Sequence, residues 1–401
     1  MKIAKIHIEN HLILGTIDFN FTGPDGKILD TIVIAGVNGT GKTTLLETIF
    51  DIGSHGQNSF KDSYLEVDLT YLFRKRTIDS HYNASFKLDD GRSKINLINE
   101  KFREIDEEKR PRVIYMPTEI NFDKSRQINL EFHNKNVDFR IRVEQDIITD
   151  IPSFIATLIN NEVYKNPDLP TQKFIDKVCD EINSLFEILE IDAQIVGLKP
   201  EGEKLPIFKN SAGKVFNIKE LSSGEKQLFI RAMTLRMLNA NNSIILIDEP
   251  EISMHPKWQQ RIMKVYENIG ENNQIIAATH SPHVVASVPK ESLKLLKREN
   301  GRIKVVEYDE INGSYGLPVD IVLKELMELD TLRDPEVEKE IRALWDMLHQ
   351  KKHDTHNFIE RYQRLEKLLG SEDEELLLMR IEIAKLRSKR EKASVGNKET
   401  Q

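Results

Sequence analysis

The octapeptide GVNGTGKT, Gly36 to Thr43, constrains this chain more than any other stretch. It follows the uninterrupted apolar run TIVIAG and precedes TTLLETIF, whose apolar residues recur at helical spacing. A short run of that kind fits a strand buried on both faces, as in parallel sheets. Gly36, Gly39 and Gly41 allow the intervening turn to aim successive amide N–H groups at one concave point. The helix beginning near Lys42 adds its positive end to that point. Lys42 supplies a point charge for phosphates, and Thr43 a hydroxyl ligand for Mg²⁺. The alternative, an ordinary glycine turn ahead of a helix, is disfavoured because both flanking elements also fit.

Three further stretches carry chemistry. SIILIDEP, Ser243 to Pro250, is an apolar strand ending in two acids, which needs a carboxyl end that opens into a site. Asp248 suits the water shell of Mg²⁺, and Glu249 suits polarisation of an attacking water. LSSGEKQ, Leu221 to Gln227, reads first as a helix cap, with Glu225 in the first turn. The same helix end, exposing Ser222, Ser223 and Gly224, is equally an anion receptor. ATHSP, Ala278 to Pro282, closes a second apolar strand with His280, placed to sense a terminal phosphate.

Composition limits the rest. With 57 Lys and Arg against 65 Asp and Glu, the net charge of −8 excludes a protein that coats nucleic acid by bulk positive charge. The single cysteine, Cys179, excludes an intrachain disulfide and an all-cysteine metal site. No apolar run approaches the roughly 18 residues of a membrane span. The start, MKIAKIHIEN, lacks the apolar segment of a signal peptide, so a soluble, cytoplasmic chain with no membrane partner is expected.

Along the 401 residues, strands are expected before the glycine turn and again from about Tyr64 to Pro117. Helices are expected over 140–190, where Ile141, Ile148, Ile151, Ile155 and Ile159 begin an apolar stripe, and short strands over 191–218. Helix and strand then alternate to about residue 310, the rhythm of a parallel sheet. After Pro318 three apolar stripes predict helices, and the stretch from Leu386 reads as a frayed basic tail. These shifts divide the chain into 1–120, 121–190, 191–316 and 317–401.

The ordered set GVNGTGKT, LSSGEKQ, IILIDEP and ATHSP resembles the ATP-binding-cassette type of nucleotidase. It is most similar to the soluble branch of chromosome-maintenance, recombination-repair and overcoming-lysogenisation ATPases. The resemblance implies an α/β P-loop ATPase head with a β-rich lobe, a short helical insertion and a C-terminal helical extension. It implies ATP held by Gly36, Asn38, Gly39, Thr40, Gly41, Lys42, Thr43 and Thr44, with Mg²⁺ on Thr43 and Asp248. Glu249 and His280 take the catalytic positions. It further implies a homodimer or higher homo-oligomer, in which Ser222, Ser223, Gly224 and Glu225 of one copy close the ATP site of another. The family's lobe glutamine has no secure counterpart, since Gln57 and Gln127 fit poorly and Glu119 stands nearest the expected position.

Residues 44–220 carry no sustained heptads, which excludes long coiled-coil arms. The tail lacks the glutamate and D-x-D pair of lysogenisation-exclusion nucleases, so intrinsic nuclease chemistry is not expected. A compact head with a short insert and helical tail resembles the PtuA-type ATPases of Septu and retron anti-phage systems. That resemblance implies an HNH nuclease partner on the C-terminal helices and, in retrons, a reverse transcriptase with its small DNA. Two other readings remain: a repair ATPase that clamps DNA directly, and an ATP-binding scaffold with negligible turnover. Arg74 to Arg76, Arg110 with Arg112, and Arg140 with Arg142 are interleaved with acids and read as solvated faces rather than nucleic-acid contacts. His349, His353 and His356 read as a solvated turn rather than a zinc site.

Overall fold

A computed structural model describes residues 1–51, 63–68, 83–87, 105, 110–118, 140–143, 151–199 and 205–396. In chain order the strands are β1 (Lys2–His11), β2 (Gly15–Asn20), β3 (Thr31–Ala35), β4 (Tyr64–Asp68), β5 (Asn83–Lys87), β6 (Val113–Met116) and β7 (Arg140–Arg142). They continue as β8 (Gln194–Leu198), β9 (Pro206–Lys209), β10 (Val215–Asn217), β11 (Ile244–Asp248), β12 (Gln274–Thr279), β13 (Leu293–Glu299) and β14 (Arg302–Val306). Among the described residues up to Met327, four helices of ten or more residues accompany them: α1 (Lys42–Asp51), α2 (Ile151–Lys165), α3 (Thr171–Glu187) and α4 (Ser223–Met237).

The apolar runs form the middle of a seven-stranded sheet of order β14-β13-β3-β12-β11-β6-β7. All its pairings are parallel except β13 with β14. Its central strands alternate between two cores, as the period of a strand requires. Ile32, Ile34, Leu246, Ile276 and Ala278 face a layer containing α1 and residues of β1 and β2. Val33, Ala35, Ile245, Ile247 and Ala277 face the layer built from α2, α3 and α4. The strands are therefore apolar on both sides, and charge can gather only where they end. Beside this sheet lie a four-stranded antiparallel sheet, β2-β1-β4-β5, and a three-stranded one, β10-β9-β8. The α/β P-loop class expected from the sequence is what the structure shows.

Two local expectations fail. Residues 140–142 form β7, paired in parallel with β6, rather than the start of a helix. The alternation Arg140, Ile141, Arg142, Val143 explains this, because it buries Ile141 and Val143 while both guanidiniums lie over the Phe50 ring. The basic tail also continues as helix to Gly396, and its Lys, Arg, Glu and Ala residues are good helix formers that need no apolar stripe.

The chain divides into two units, Met1–Met327 and Glu328–Gln401. The second unit consists of α5 (Pro335–His349), α6 (His356–Leu369) and α7 (Glu374–Gly396). These helices share a core of Ile341, Leu344, Leu348, Phe358, Leu365, Leu376 and Met379. Asp334 and Thr355 cap α5 and α6 through side-chain oxygens that accept backbone N–H groups. No helix among the described residues is long and apolar enough to cross a membrane.

Ile276 has no exposed surface at the middle of the large sheet. Ile276→Ala should cost about 2–5 kcal/mol, read as a lower urea midpoint at an unchanged denaturant slope.

Candidate functional site

The loop from β3 to α1 is held by close packing around its glycines. At Gly36, φ is 156° and a Cβ would lie 2.3 Å from the carbonyl oxygen of Leu296, so only glycine fits. At Gly41 a Cβ would meet Leu14 Cδ2 at 2.6 Å, which shows the β1–β2 turn pressed against the loop. Thr40 is buried and its hydroxyl donates to Val37 O at 2.9 Å. Arg298, on β13, donates to Gly39 O at 2.9 Å. Val37, Asn38, Gly39 and Thr43 are exposed, and Thr44 is half-buried.

Lys42 folds back into this loop. Its ammonium donates to Gly36 O at 2.8 Å and to Val37 O at 3.2 Å, and the residue is buried. Burial pushes the amine down to about 8, against the pull of Glu249, Asp248 and Glu251.

The two acids of the Ser243–Pro250 stretch stand at the carboxyl end of β11. Asp248 accepts from Thr43 Oγ1, at 3.1 Å to one carboxylate oxygen and 3.0 Å to the other, and from Thr118 Oγ1 at 2.8 Å. One carboxylate amid hydroxyls is an all-oxygen donor set, and it fits a hard cation such as Mg²⁺ that keeps several waters. Glu249 has φ 47° and its N–H donates to Ala278 O at 2.9 Å, so the strand breaks off sharply there.

Two residues on, Glu251 is buried and accepts from Thr279 Oγ1 and, at 3.1 Å, from the Ser281 N–H. Burial first, then the charge of Glu251, pushes the Glu249 carboxyl up to about 8. His280 Nε2 lies 3.5 Å from Glu249 Oε1. Burial and the Lys42 ammonium hold the imidazole below its ordinary range, so it is neutral at neutral pH.

The helix end at Ser222 is capped by its own side chains. Ser222 Oγ accepts the Glu225 N–H at 3.3 Å, while Glu225 Oε2 accepts from Ser222 N at 2.9 Å and from Ser222 Oγ at 2.6 Å. Gly224 is buried, and a Cβ there would lie 2.7 Å from Ser253 O of the same chain. What this motif presents outward is therefore Ser222 and Ser223. Gly224 permits the close seat of α4 on the loop after β11.

Lys42, Thr43, Asp248, Glu249 and His280 thus share the carboxyl edge of one sheet. Sequence reasoning missed Thr118, Glu251 and Arg298. For Thr118 and Glu251 the available signal was position, since each follows the end of a buried strand by a few residues. Glu119, Gln57, Gln127 and Arg74 to Arg76 lie outside the described residues. Arg112 is buried and donates to Leu238 O, so it is not a solvated face, whereas Arg142 is half-buried with its guanidinium over Tyr115. His353 is buried, while His349 and His356 are exposed. No cluster of three or more His, Cys, Asp or Glu among the described residues suits a metal ion.

The chain matches the family model described as "AAA domain, putative AbiEii toxin, Type IV TA system" over residues 32–286, which contain all four motifs. It is similar to the Septu protein PtuA of Bacillus thuringiensis, 24% identical over 378 residues, covering 88% of this chain and 91% of that protein. It is also similar to the retron Vc95 probable ATPase of Vibrio cholerae serotype O1 biovar El Tor, 32% identical over 169 residues, or 39% of this chain and 32% of that one. Among solved structures, the SMC head domain from Thermotoga maritima aligns over 77% of this chain and 99% of its own, with 13% identity and a TM-score of 0.41.

A methyl group at Gly224 meets backbone on Ser253 and Met254. Gly224→Ala should cost about 1–3 kcal/mol through overpacking, checked by chemical denaturation. Unchanged stability would show that α4 is not tightly seated there.

Proposed function

We propose, from the premise that this chain belongs to the AAA-domain family whose model it matches, that it binds ATP with Mg²⁺ and hydrolyses it in a site completed by a second copy. The observation that carries this reading is the convergence of Lys42, Thr43 and Asp248, with Thr43 Oγ1 3.0 Å from the carboxylate. Lys42 now bonds two loop carbonyls, and a phosphate oxygen is a stronger, charge-assisted partner that would take their place. The first amides of α1 are free of helical partners and face the same ligand. Ile13, partly exposed against Gly41, offers the base an apolar surface. Mg²⁺ on Thr43 and Asp248 would neutralise phosphate charge. Glu249, once deprotonated, accepts a proton from the attacking water, and neutral His280 beside it offers a hydrogen-bond donor to the terminal phosphate.

One nest and one lysine leave part of a triphosphate facing outward. The exposed Ser222 and Ser223 at the N-terminus of α4 supply hydroxyls and a helix end to complete that shell for a partner copy, with Glu225 holding the cap in shape. Nucleotide binding then acts as a dimer switch that hydrolysis reopens. At the level of the system, we read the chain as an ATPase of anti-phage defence that regulates an HNH nuclease through its helical unit. In a retron setting a reverse transcriptase and its small DNA join the assembly. The similarity to Septu PtuA along most of the chain supports this reading. So do Leu368, Leu378 and Ile381, exposed on the helices of residues 328–401.

Lys42→Ala should weaken ATP binding about 10- to 100-fold, measured by equilibrium titration. Glu249→Gln should bind ATP normally, turn over about 100-fold more slowly and accumulate as an ATP-bound dimer in light scattering. Ser222→Arg should bind ATP yet fail to dimerise. Wild-type turnover in Glu249→Gln would remove that residue as the base.

The pH profile should be narrow. Glu249 must lose its proton and Lys42 must keep its own, and both titrate at about 8 in the free chain. The value of kcat/KM should rise with pH toward about 8 and fall beyond it. A profile flat from about pH 6 to about pH 9 contradicts the assignment.

A further inference from the structure

Arg231 lies in the middle of α4 between Ile230 and Ala232, and its exposure is 0%. A guanidinium stripped of water is costly unless its donors are met, and an apolar side chain of similar volume fills such a place at less cost. Its two Nη groups are met by two strand ends, while Nε has no hydrogen-bond partner among the described residues. Nη2 donates to Thr118 O at 2.8 Å and to Pro117 O at 3.1 Å. Both Nη atoms lie 3.4 Å from Asp248 O.

Those carbonyls belong to neighbouring strands. In the parallel register of β6 and β11, Met116 pairs with Ile247, so Pro117 and Asp248 are the next residues on each. Thr118 Oγ1 then donates to the Asp248 carboxylate at 2.8 Å. The contacts close a ring, from Arg231 to the Thr118 carbonyl, from the Thr118 hydroxyl to the Asp248 carboxylate, and from the Asp248 carbonyl back to Arg231.

The cation is not alone in this layer. The buried Tyr266 phenol feels Arg231 and Glu251 with opposite effect, so both charges lie near it. Lysine has no planar fork and could not serve three carbonyls on two strands in the same way.

We propose that Arg231 is a positioning residue that fastens Thr118 and Asp248 to helix α4. The hydroxyl–carboxylate pair then shifts only together with the helix whose N-cap is Ser222. Closure of that helix end on a partner copy is thereby felt at the cation-binding carboxylate of its own copy. The consequence for turnover rests on the ATP-binding reading above, whereas the fastening rests on geometry alone.

The test compares the full chain with Arg231→Met and Arg231→Lys. In hydrogen exchange without nucleotide, amides of 113–118 and 244–249 should exchange at least about 10-fold faster in Arg231→Met, with those of 31–35 unchanged. Binding of a fluorescent ATP analogue should stay within about 3-fold of wild type, while kcat falls at least about 10-fold and half-maximal turnover needs more Mg²⁺. Arg231→Lys should fall between the two and guards against a Met variant that fails to fold.

Unchanged exchange in both segments overturns the proposal. So does a uniform acceleration that includes 31–35, with binding and turnover lost in equal measure, because that is loss of packing alone. If the wild-type chain binds no ATP, the nucleotide reading fails, and the exchange comparison still decides the fastening.

Discussion

The Lys42 ammonium rests 2.8 Å from a carbonyl of its own loop in a place almost closed to water, and the rest of the site answers to that charge. The sheet beneath it is apolar on both faces, so ionised groups find room only along its carboxyl edge. There Asp248, Glu249 and Glu251 gather on one loop, and Arg231 reaches the same edge from behind. Lys42 and Arg231 stand there beside these acids, and Arg298 holds the adjoining loop. A ligand that brings both phosphate charge and a divalent cation meets partners of both signs along this edge.

That arrangement also gives the free chain a resting character. Lys42 is occupied by the loop carbonyls, and burial keeps a proton on the Glu249 carboxyl at neutral pH. The Ser222 hydroxyl of the α4 cap is likewise occupied, since it donates to Glu225. For Lys42 the internal partners are neutral carbonyls, which a phosphate oxygen can replace with a stronger, charge-assisted bond. On the proposed reading this ties assembly to ligand, because the helix end gains its better partner only from a nucleotide already held in the loop of another copy.

Much of this was legible in the sequence where the cause is local. A glycine turn between a buried strand and a helix has few solutions, and Gly36, Lys42 and Thr43 stand where that solution puts them. Acids closing an apolar strand marked the open end of the sheet in the same way. The tertiary partners were hidden. Arg231 reads as one charge in an apolar helix, and only the pairing of β6 with β11 reveals what its fork holds. Glu251 and Thr118 likewise acquire meaning from residues far away in the chain, Thr279 and Asp248. The strand at Arg140–Arg142 is illegible in the sequence because three residues are too few for periodicity to decide.

The account stands or falls on whether one site is shared by two copies, and mixing two disabled chains tests this directly. Lys42→Ala lacks its phosphate loop charge but keeps its helix end; Ser222→Arg has the reverse defect. In a heterodimer the intact loop of one meets the intact helix end of the other. The mixture should therefore regain ATP-dependent association and hydrolysis that neither variant shows alone. If the mixture stays as inactive as its components at every ratio, the site belongs to a single copy and the account is wrong.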